Sequence, residues 1–137
     1  MPAVRVPLHL RWADLDAYGH VNNAAIVGLL EQARVLAFWN DADPVLPPLT
    51  ADADTWVLVA HVDVTYVRPI DHRTEPITAE LSIVKAAGAT FVIAYRLLVD
   101  EVECVRATTT MALVDPATGA PTRMTSHLRA RLLAYGE

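Results

Sequence analysis

A single cysteine, Cys104, leaves this chain of 137 residues no intrachain disulfide, which fits a reducing compartment and a cytoplasmic location. No apolar stretch approaches the roughly 20 residues of a membrane helix. The opening Met1-Pro2-Ala3-Val4-Arg5-Val6-Pro7 lacks the continuous apolar segment of a secretory signal. No membrane partner is therefore expected. A basic surplus is missing as well: 11 Lys and Arg against 16 Asp and Glu give a net charge of −5, which argues against general nucleic-acid binding. It leaves room for an anionic small ligand, because a few local arginines can hold phosphate on an acidic protein. Repeats, low-complexity tracts, glycine-rich phosphate loops and a Gly-x-Ser-x-Gly elbow are all absent. Five histidines and one cysteine at scattered spacings do not make a metal site, so no metal or cofactor is expected.

What the chain does have is apolar residues, 53% of the total, in periodic runs sufficient for one core. The whole of 1–137 reads as a single domain. Val4 to Arg11 alternates loosely and predicts a first strand, placed at a sheet edge by Pro7. From Ala24 to about Trp39 the apolar positions Ile26, Leu29, Leu30, Ala33, Leu36 and Ala37 form a helical stripe. Val27, Val35 and Phe38 widen it, so the helix is expected to be buried around much of its circumference. Trp56 to Val67 predicts a long strand with Trp56, Leu58, Ala60, Val62, Val64 and Tyr66 on one face and His61 and Asp63 on the other. Three strands follow, at about 77–86, 90–100 and 104–114, with short connections that favour an antiparallel meander. A short helix over 126–133, capped by Thr125 or Ser126, closes the chain. The sum is an α+β domain in which one antiparallel sheet of about five strands curls around one long helix. The long strand, apolar on both faces, suits pairing with a second copy.

Between the first strand and the helix lies Asp14-Leu15-Asp16-Ala17-Tyr18-Gly19-His20-Val21-Asn22-Asn23. A helix N-terminus offers unpaired N–H groups and a partial positive charge. A carboxylate just ahead of it can act on a carbonyl that those groups polarise. Asn22 or Asn23 is the N-cap. Asp14 reads as structural, meeting Arg11. Glu31 and Arg34 share a helical face and read as an ion pair.

The segment Arg11 to Arg34, RWADLDAYGHVNNAAIVGLLEQAR, resembles the 4-hydroxybenzoyl-CoA thioesterase-like family of hotdog-fold acyl-CoA thioesterases. The shared pattern is D-x-D-x-x-G-H-V-N-N, a helix and a Glu-x-x-Arg on it. Val64-Thr65-Tyr66-Val67-Arg68-Pro69 and Val114-Asp115-Pro116 fit as later elements. The resemblance implies hydrolysis of an acyl-CoA thioester, a homodimer or dimer of dimers joined through the long second strand, and no metal. It places the catalytic carboxylate at Asp16, as nucleophile or general base. His20 reads as scaffold or as an acid or base, and Asn22 and Asn23 divide N-cap duty and carbonyl contact between them, one of each. Gly19, Val21 and Asn22 supply the backbone of an oxyanion site, with the stabilising N–H groups near Val21–Asn23. His61 is a candidate to approach a partner's Asp16, and Arg68, Arg73 and Thr90 are candidates to hold the CoA portion. Two other readings compete. A hotdog hydratase or dehydratase usually carries D-x-N-P-x-H, whereas no Asn-Pro follows Asp16 here; a non-catalytic acyl-CoA-binding protein usually has an added domain.

Overall fold

The computed structural model describes residues 3–40 and 42–136. The strands are β1 (Val4–Leu8), β2 (Trp56–Tyr66), β3 (Ile77–Ala87), β4 (Thr90–Val99) and β5 (Val102–Val114); the helices are α1 (Asn23–Phe38) and α2 (Ser126–Leu133). A single 3-10 turn, Trp12–Asp14, stands between β1 and α1. The strands form one sheet in the order β1-β3-β4-β5-β2, with every neighbouring pair antiparallel. This is the expected meander of β3, β4 and β5, with β1 and β2 at the two edges.

Alternation does the sorting. In β3, β4 and β5 every second residue is buried over most of the strand, because successive side chains point to opposite faces. The inward set, with Leu81, Phe91, Ile93 and Met111 all at 2% exposure or less, meets Ile26, Leu30, Ala33 and Phe38 of α1. α1 begins where the Asn22 side chain accepts the Ala24 N–H at 2.8 Å, which makes Asn22 the N-cap. Burial stops short of the expected circumference. Val27, Gly28, Glu31 and Gln32 stay exposed, because a single sheet covers one side of the helix only. Thr125 caps α2 through the Leu128 N–H at 3.1 Å, and Arg129 Nε donates to Ala86 O at 2.9 Å, tying α2 to β3.

Two details depart from simple alternation. β2 pairs with β5 in a register that slips between Val59 and His61, leaving Ala60 unmatched. An extra residue in one strand reverses the facing of everything beyond it. Val57 and Val59, opposite the buried Leu113 and Met111, therefore share the helix side with Val62, Val64 and Tyr66, opposite Thr109, Ala107 and Val105. Trp56 and Leu58 join His61 and Asp63 on the outer side. This corrects the two-face assignment that strict alternation predicts. The β4–β5 turn is Asp100-Glu101, both in the left-handed region at φ 50° and 67° without a glycine.

Candidate active site

The loop ahead of α1 is held by two carboxylates with different duties. Asp14, 6% exposed, accepts from Arg11 Nη2 at 2.8 Å and from the Arg11 N–H at 3.1 Å. The Arg11 hydrogen bond holds its carboxyl below the ordinary carboxylate range, against the opposing effect of burial. Its backbone oxygen accepts the Asn22 N–H at 2.7 Å. Asp14 is thus the peg on which the loop hangs.

Asp16 folds the next four residues around itself. Its Oδ1 accepts the N–H of Tyr18 at 2.8 Å and of His20 at 3.2 Å. Its backbone N–H donates to His20 O at 2.8 Å, and its carbonyl accepts the Gly19 N–H at 3.1 Å. That closure needs Gly19 at φ 79°, a conformation that costs residues with a Cβ. Asp16 Oδ2 makes no hydrogen bond among the described residues. Asp16 lines, with His20, Asn23, Tyr66 and Arg68, a cavity of about 310 Å³.

The amides require a correction. Gly19 donates to Asp16 O, Val21 to Ile70 O at 2.8 Å, and Asn22 to Asp14 O. The three backbone groups expected to form the oxyanion site are consumed in holding the loop. Of the first helical amides, those of Asn23 and Ala25 have no partner among the described residues and no intrahelical acceptor by position; Asn23 is the one that lines the cavity of Asp16. The Asn23 carbonyl accepts from Tyr66 Oη at 3.0 Å. Sequence reasoning misses Tyr66 as a site residue; its one signal is its place beside the Val67-Arg68-Pro69 break.

The remaining candidates divide by location. His20 Nε2 lies 3.4 Å from Asp71 Oδ1 at the cavity rim, and the two residues also form a backbone bridge. Arg68 walls the cavity and donates to Glu103 O at 3.2 Å. Arg73 faces the other side of the 68–73 segment, paired with Asp100 at 3.0 Å beside a separate cavity of about 350 Å³. His61 is exposed on the outer face of β2 opposite Thr110. Thr90 starts β4 at the sheet's far end, roughly 30 Å from Val99 along the strand. Within one chain neither His61 nor Thr90 reaches Asp16's cavity. Glu31 and Arg34 pair at 3.5 Å, with Arg34 7% exposed. A larger cleft of about 1020 Å³ runs between β1 and α1, but the carboxylate on its wall is Asp14, already taken by Arg11. Among the described residues no three His, Cys, Asp or Glu are grouped to hold a metal ion, and no helix is long and apolar enough to cross a membrane.

Residues 10–132 match the family model of the thioesterase-like superfamily. No curated protein sequence matches the chain significantly. Solved structures do. A predicted thioesterase from Bacillus stearothermophilus superposes with a TM-score of 0.81 at 17% identity, covering 97% of this chain and 96% of that one. A thioesterase from Thermus thermophilus, complexed with coenzyme A and zinc, gives 0.80 at 23% identity over 96% and 92%. The YbaW probable thioesterase from Escherichia coli gives 0.76 at 20% over the full length of both chains. With its antiparallel sheet wrapped on one helix and a family match across nearly its whole length, the chain belongs to the thioesterase-like superfamily and is a thioester hydrolase of the hotdog fold.

Proposed function

We propose that the protein hydrolyses an acyl-CoA thioester to the free acid and CoA, with Asp16 as the reacting carboxylate and the Asn23 N–H as the oxyanion donor. One observation carries this reading: an unbonded carboxylate oxygen and an unbonded helix N-terminal amide belong to residues of the same 310 Å³ cavity. The coenzyme A in the Thermus thermophilus neighbour supports CoA as the carrier.

Two routes use these groups. In one, Asp16 Oδ2 attacks the thioester carbon, the oxyanion settles on the Asn23 N–H, and collapse expels the CoA thiolate to leave a mixed anhydride that water cleaves. In the other, Asp16 takes a proton from water as the water attacks, the same amide receives the resulting oxyanion, and its collapse expels the CoA thiolate to leave the free acid. The α1 dipole adds to the field at that point. Arg68, on the cavity wall, is the cation placed to meet the departing CoA. The β2 edge, where Leu58, Val59 and Val62 are 48%, 42% and 38% exposed, pairs with a second copy in this proposal.

Asp16→Asn tests the chemistry with little structural disturbance, since an amide oxygen still accepts from Tyr18 and His20. It should fold as the wild type does and lose at least 100-fold in turnover, roughly the loss typical of removing one well-placed electrostatic group. Thiol release from a panel of acyl-CoAs is the readout. Full turnover in this variant excludes the assignment, and tight CoA-ester binding without release by the wild type excludes hydrolysis.

A further inference from the structure

Trp12 is 77% exposed, although large aromatic side chains are usually mostly buried. It is not on a loose loop. It opens the 3-10 turn whose Asp14 is bonded to Arg11 and to the Asn22 N–H, so its backbone is fixed. Its indole meets His72 with ring centroids 5.6 Å apart at 77°, an edge-to-face contact of the kind aromatic quadrupoles favour. His72 lies on the 68–73 segment that also supplies Arg68 to the Asp16 cavity and Asp71 to His20. Trp12 precedes Asp16 by four positions, so their Cα atoms lie within about 14 Å.

Resting on the acyl-CoA reading, we propose that Trp12, steadied by His72, is the platform on which the adenine of CoA stacks while the thioester occupies the Asp16 cavity. In this proposal the pantetheine arm leaves the Asp16 cavity past Arg68, which shares the 68–73 segment with His72, and the flat base at its end needs a flat apolar partner. A π-face suits that task on a protein whose net charge of −5 gives phosphate no general attraction. Base stacking on an aromatic side chain is largely independent of charge.

The experiment compares one acyl group on CoA and on pantetheine, which lacks the nucleotide. Trp12→Ala should lower the ratio of kcat/KM for the CoA ester to that for the pantetheine ester about tenfold, through KM, as expected for a lost stacking contact. Trp12→Phe should restore most of the ratio. An unchanged ratio in Trp12→Ala overturns the platform even if both esters are hydrolysed. Should the wild type hydrolyse neither ester, the acyl-CoA reading fails and adenine stacking is decided by fluorescence. Quenching by 3′,5′-ADP in the wild type but not in Trp12→Ala supports stacking, and equal responses overturn it.

Discussion

Asp14 and Asp16 are two residues apart and chemically identical, and only their partners separate them. Asp14 is covered and bound to Arg11, and its depressed pKa has a consequence for stability. A carboxyl held low in the folded state stabilises fully above its unfolded value near 4 and loses that contribution as pH falls through the folded value. The melting-temperature gap between wild type and Asp14→Asn should therefore be full at neutral pH and shrink as the pH drops below about 4. Equal gaps at pH 7 and pH 3 would show that Arg11 does not hold the carboxyl. Tyr66 supports the site differently, through its bond to Asn23 O. Tyr66→Phe should lower kcat several-fold and leave KM little changed, because it loosens the backbone whose N–H is the proposed oxyanion donor. Burst and steady-state kinetics on one acyl-CoA would check it. The sequence could mark Asp16 from the motif and Asp14 from the nearby arginine. It could not say which amides were free, because that depends on Ile70 and Asp14 carbonyls that only the folded loop brings near Val21 and Asn22.

Among the elements, β3 to β5 were legible because each strand hides one face, and periodicity of two survives in the sequence. α2 was legible because Thr125 precedes its first turn. The bulge in β2 was not. Trp56 to Val67 is apolar on both sides, so inserting one residue leaves no mark in the pattern, and the slip is decided by β5. The exposed side of α1 was missed for a related reason, since Val27 looks like a core residue wherever it sits. The start of α1 depends on one side chain. Asn22→Ala should cost about 1 kcal/mol of stability and Asn22→Gly only a few tenths, as read by denaturant unfolding. Unchanged stability in Asn22→Ala would mean the Ala24 N–H bond is not what starts the helix.

For the whole molecule, the two edges of the sheet are unlike. β1 is five residues long and includes Pro7, which has no N–H to offer a neighbour. β2 is eleven residues long with apolar side chains in the open. If that edge joins two copies, Val62→Asp should give a folded monomer by light scattering that has lost most thioester hydrolysis, while a stable dimer would place the contact elsewhere. A sheet blunted along one margin and open along the other can be lengthened once. Two copies joined at β2 present only their proline-bearing margins outward, so association closes on itself and the strands cannot go on adding into a fibre.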